Sequence, residues 1–111
     1  MGKICGGLMS IEKTLQKRSS RYGSFSDNAK ITQELMDVIY KSPNGNFLKH
    51  EHYEAFHMIF HKMARIVCGD MMYEDNPHDI AGYAKLLEDW MINENNNNKQ
   101  TIDEDKVSPN T

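Results

Sequence analysis

The stretch HEHYEAFHMIFHKMARIVC, residues 50–68, decides the fold. Phe56, Ile59, Phe60, Met63, Ile66 and Val67 recur in it at intervals of one, three and four, which at 3.6 residues per turn gathers them into one apolar stripe. The spacing predicts a helix from His50 to Cys68, stopped by Gly69. Opposite the stripe, Glu54, His57, His61 and Arg65 stack at the same spacings as a polar face. A helix of this kind needs neighbours to cover its stripe, and the flanking sequence supplies them. On the C-terminal side, Asp75-Asn76-Pro77 places acceptor side chains before a proline at a first helical position. Ile80, Tyr83, Ala84, Leu87, Trp90 and Met91 then share one face, as far as Ile92. On the N-terminal side, Ser26-Asp27-Asn28 offers a cap, and Ile31, Leu35, Val38 and Ile39 predict a helix over residues 27–41, ended by Ser42-Pro43-Asn44-Gly45-Asn46. One more helix is expected from a cap at Ser10, through Ile11 and Leu15, to about Arg21, where Gly23 suits a left-handed position. No segment alternates with period two, so the expected fold is all-α, a compact bundle of about four helices.

Composition sets the boundaries. Residues 1–9 carry glycines and no long apolar run, and read as a flexible N-terminus; Met9 is an alternative start. Gly2 does not make a myristoylation signal, because Gly6 stands where that motif needs Ser or Thr. Residues 10–92 form the helical domain. From Asn93 the chain turns to NENNNNKQ and scattered charge, too poor in apolar surface to offset its ordering entropy, so residues 93–111 read as a disordered tail. With 13 Lys+Arg against 16 Asp+Glu, nothing predicts general attraction to nucleic acid or to an anionic membrane. Cys5 and Cys68 form no metal or staple pattern, which points to a reducing, cytoplasmic compartment.

Three groups of residues carry possible chemistry. His57 and His61 have metal-ligand spacing, but Met58 stands where a metalloprotease helix has Glu, and the pair reads first as a solvated face. Lys62 and Arg65 lie one turn apart at the edge of the apolar stripe, able to hold a phosphate or to pack their stems. Asp75 and Asp79 bracket the start of the last helix. Asp75 is accounted for by the helix dipole, whereas Asp79, beside the apolar face and next to Tyr83, calls for an arginine, a lysine or Mg²⁺. The geometry of an antiparallel pair favours Arg65 as that partner. Gly82 within a helix suggests a close helix crossing or room for a ligand.

Arg21-Tyr22-Gly23-Ser24-Phe25-Ser26-Asp27-Asn28, then Glu54-Ala55, Met58-Ile59, Lys62 and Arg65-Ile66, then Asp75 with Asp79-Ile80-Ala81-Gly82-Tyr83, resemble a small helical family of phages and prophages. The likeness covers residues 12–91. It extends more loosely to phage nucleotide-modification-associated domains and to the MazG-type all-α nucleoside triphosphate pyrophosphohydrolases. Those enzymes use Glu-x-x-Glu on one helix and Glu-x-x-Asp on the next to hold Mg²⁺ against a triphosphate. Glu51 and Glu54 have the first spacing here, but Asn76 stands three before Asp79 and breaks the second.

The resemblance thus implies a phage-type nucleotide-binding protein in the host cytoplasm, with Arg21, Tyr22, Lys62, Arg65, Asp79 and Tyr83 on the ligand and Glu54, Asp75 and Asp79 on Mg²⁺. Pyrophosphohydrolase-like turnover is left open. The alternative is a non-enzymatic anti-defence protein that sequesters a signalling nucleotide or binds a host protein. Sites between subunits in the similar enzymes, together with short helices that each bear an apolar stripe, also imply a homo-oligomer.

Overall fold

A computed structural model of the chain describes the backbone of residues 5–105 and the side chains of residues 10–99. Four helices follow one another: α1 (Cys5–Tyr22), α2 (Phe25–Tyr40), α3 (His50–Cys68) and α4 (Asp75–Asp105). Among the described residues there is no strand. The middle member is α3, with α2 packed along one side and α4 along another, while α1 makes a smaller contact with α3. Ala55 and Ala64 on α3 are both buried. Nine residues separate them, about two and a half turns, so α3 presents a small side chain on two opposite sides. That lets two neighbours approach one helix.

The expected bounds of α3 hold at both ends, and those of the other helices shift for local reasons. Ser10 is not a cap: α1 is already helical there, and the Ser10 carbonyl accepts from Thr14 Oγ1 at 2.7 Å within the helix. The cap of α2 is Ser24, whose Oγ accepts the Asp27 N–H at 3.0 Å, so the helix starts two residues before Asp27. The backbone of α4 runs on past Ile92 through the asparagines, with every side chain over residues 93–99 exposed. Asn costs a helix only a few tenths of a kcal/mol per residue, and extending a formed helix needs no new nucleus. The change of composition at Asn93 therefore marks where α4 leaves the bundle. Of the expected N-terminal stretch, residues 1–4 lie outside the described residues and the backbone from Cys5 belongs to α1; residues 106–111 of the expected tail also lie outside them.

The end of α1 is locked to the rest of the chain by its own orphan carbonyls. Gly23 N–H donates to Ser19 O at 2.8 Å, Asp70 N–H to Arg21 O at 2.7 Å, and Asn28 Nδ2 to Tyr22 O at 2.7 Å. A helix end that would otherwise depend on water is thereby tied to α2 and to the α3–α4 turn. The approach is close enough to require two glycines. A Cβ on Gly23, which has φ +86°, would sit 2.5 Å from the Cys68 carbonyl oxygen, and one on Gly69 would sit 2.3 Å from that of Arg21. Gly82 differs: nothing lies within 4 Å of its would-be Cβ, so the helix crossing expected there is absent.

Burial is thin elsewhere. Among the described residues the buried apolar side chains are Met36, Ala55 and Ala64, joined by the polar Asn28, Thr32 and Asn76. Most of the expected core stripe is only half-buried, and Met63 and Val67 are 41% and 69% exposed. No described helix is long and apolar enough to cross a membrane.

Candidate functional site

The junction that locks α1 also builds a cleft. Tyr22, the last residue of α1, is held over α3 by the Gly23 and Gly69 contacts, and its ring receives two cations. The Arg65 guanidinium lies 4.0 Å from the ring centroid and that of Arg18, one turn before Tyr22 on α1, lies at 5.2 Å. Guanidinium over an aromatic face is a favourable pairing, worth about 0.5–1 kcal/mol where exposed. Together with Leu15, Ser19, Phe25, Asn28 and His61 these residues line a cleft of 280 Å³, near the lower bound for small-ligand pockets.

The field in this cleft is positive. Among the described residues neither Arg18 nor Arg65 has a carboxylate within salt-bridge distance. His61 reports the result: burial first, then Arg65, Lys62, His57 and Arg18, hold its pKa below the ordinary histidine value. Phe25 stands at the rim, 88% exposed, an aromatic face without cover. Asn28 is anchored at the back by its Nδ2 bonds to the Tyr22 and Ser24 carbonyls.

The remaining expected site residues lie in other places. Lys62 pairs with Asp79, Nζ to Oδ2 at 3.0 Å, with the Lys62 side chain 13% exposed and Asp79 41%. That hydrogen bond holds the Asp79 carboxyl below its usual range. The partner expected for Asp79, Arg65, is thus corrected to Lys62. Arg65 instead turns to Tyr22 and adds only a weaker attraction. Arg21 leaves the cleft, its guanidinium 4.1 Å from the ring centroid of Tyr73, and Tyr73 Oη donates to Asp75 Oδ2 at 2.5 Å. Tyr83 lines a separate groove with Glu51, Glu54, Leu86 and Trp90, and a shallow surface with His78, Asp79 and Gly82.

Glu54, Asp75 and Asp79 therefore do not meet. Among the described residues no group of three His, Cys, Asp or Glu side chains is placed to hold a metal ion. Asp79 is committed to Lys62 and Asp75 to Tyr73, so the expected Mg²⁺ set does not fit as arranged. Arg18 and Phe25 are among the cleft residues that pattern reading missed. Their signal was present: Arg18 precedes Tyr22 by one turn, and Phe25 follows the Tyr22-Gly23 turn directly.

No protein family, curated protein or solved structure matches this chain.

Proposed function

We propose that the chain binds a nucleotide or nucleotide-derived small molecule in the cleft between the end of α1, the start of α2 and α3. The observation that carries this reading is the pair of guanidiniums, Arg18 and Arg65, sharing the Tyr22 ring without a carboxylate between them. Two like charges held over one ring repel, and a phosphate offers both of them charge-assisted, bidentate hydrogen bonds. Phe25 supplies an open face for a base to stack on, a better candidate than Tyr22, whose ring is already engaged by Arg65. Lys62 and Asp79 act as a scaffold pair beside the cleft. Because Glu54, Asp75 and Asp79 stand apart, binding without turnover is the favoured form of the function, in keeping with sequestration of a signalling nucleotide.

Calorimetric titration with nucleoside triphosphates, cyclic dinucleotides and ADP-ribose derivatives, each with and without Mg²⁺, tests the proposal. Binding of at least one class is expected, weakened by Arg18→Gln with Arg65→Gln while helix content is retained. The reading fails if no compound binds, or if the double variant binds as tightly as the wild type. Release of pyrophosphate during the titration would replace sequestration by hydrolysis.

A further inference from the structure

A second groove, of 210 Å³, opens where the start of α3 meets the middle of α4, and its charge is opposite to that of the Tyr22 cleft. The half-buried rings of Tyr83 and Trp90 line it, together with the buried Ala55 and with Leu86, which is 65% exposed. Glu51 and Glu54, one turn apart on α3, bring two carboxylates to the same groove. Among the described residues neither has a cation within salt-bridge distance. Lys85, next to Leu86 in sequence, is held by Glu88 and Asp89 of its own helix at 3.4 and 3.0 Å. The Trp90 ring is already oriented: His52 meets it edge to face with centroids 5.1 Å apart, and His52 is anchored in turn because its Nδ1 accepts the Lys49 N–H at 3.0 Å. The start of α3 thus sets the indole in place before anything binds.

Aromatic rings and unpaired carboxylates in one groove select a cation. A metal ion does not suit them, since among the described residues no third His, Cys, Asp or Glu joins the two glutamates. A guanidinium suits them best, because its planar fork matches carboxylates while its face stacks on a ring, which the compact ammonium of lysine cannot do as well. The volume lies below the roughly 300 Å³ at which small-ligand pockets begin, so the groove is sized for one long side chain. That side chain does not come from a second copy: the arginines of this chain are Arg18, Arg21 and Arg65, and each already lies over a tyrosine ring. We infer that the groove receives an arginine side chain from a segment of a different protein, its guanidinium set between the Tyr83 and Trp90 rings and the Glu51 and Glu54 carboxylates. An apolar residue beside that arginine covers Leu86. Trp, Tyr and Arg are the residues in which binding energy concentrates at protein interfaces, and this groove brings the first two together to meet the third.

Trp90 is the one tryptophan of the chain, so its indole N–H resonance reports this groove directly. Titration of the full chain with the peptide acetyl-Leu-Arg-Leu-amide should shift that resonance saturably, with a Kd on the order of 1 mM. Citrulline in place of arginine keeps the shape and removes the charge, and should weaken binding about tenfold, as should Glu51→Gln with Glu54→Gln. Lysine in place of arginine, or serine in place of the two leucines, should also bind less tightly. No saturable shift overturns the inference, and so does equal binding of the citrulline peptide or by the double variant. Tighter binding of agmatine, a free guanidinium, than of the peptide would overturn it in favour of a small diffusible cation. Should the double variant not fold, salt decides on the wild type. Raising NaCl from about 50 mM to about 500 mM should weaken the arginine peptide and leave the citrulline peptide unchanged; equal insensitivity of both overturns the inference.

Discussion

The two sides of α3 have exchanged the roles that their composition suggests. The polar side, Glu54, His57, His61 and Arg65, reads as a solvated stripe, yet the end of α1 folds over part of it and organises Arg65 and His61 into a cleft with Tyr22. The apolar side reads as core, yet Phe56 is only half-buried and Met63 and Val67 are left exposed by the described helices. Periodicity identifies a face but not its cover. A polar face is organised when another segment's backbone has hydrogen bonds to place there, and an apolar face stays open where no described helix packs over it.

The junction that organises the polar side is the first place to break this contrast. Gly23→Ala forces a Cβ into a left-handed backbone position against the Cys68 carbonyl, and should cost on the order of 3 kcal/mol, read from the urea midpoint. The same variant should lose nucleotide binding, because Tyr22 would no longer be held over Arg65. A stability close to wild type would show that the α1–α2 turn is not held by this contact.

Arg65→Gln should leave the fold nearly as stable but weaken phosphate-ligand binding about tenfold, or ~1.4 kcal/mol, measured by calorimetry. A large loss of stability with unchanged affinity would reassign Arg65 to scaffolding. On α4, Gly82→Ala should stabilise the chain by up to about 1 kcal/mol, since the added methyl meets open space and gains helix propensity. A destabilisation would mean that something packs on Gly82 in solution.

The smallest effect is electrostatic. Burial, and the neighbouring Arg65, Lys62, His57 and Arg18, depress the His61 pKa, so the folded chain binds fewer protons there than the unfolded chain. The stability tied to His61 is full above the ordinary value of 6.5 and is lost as pH falls below it. Between about pH 7.5 and about pH 5.5 the Tm of wild type should therefore fall more than that of His61→Gln. A bound phosphate compound should reduce the difference by neutralising the same field. Equal slopes for the two proteins would remove His61 from the cleft's electrostatics.

Helix-forming spacing made the number of helices and both ends of α3 legible in the sequence, because local side-chain periodicity and a terminating Gly69 depend on nothing distant. The Tyr22-Gly23 turn was legible as a helix end for the same reason. Lys62 and Arg65 were visible as two cations on one helix, and Asp79 as an acid in need of a partner. Which cation it took was decided only by the depth and rotation at which α4 packs on α3, a choice between residues three apart. The tertiary structure likewise decided that Glu54, Asp75 and Asp79 stand apart, that Arg21 goes to Tyr73, and that Arg18 joins Arg65 over Tyr22. Each of these depends on where separate helices end in space, which side-chain spacing along one helix does not encode. Side-chain spacing was enough to specify an all-α chain with a strongly two-faced third helix; which face became a cleft and which was left open depended on how α1, α2 and α4 pack against it.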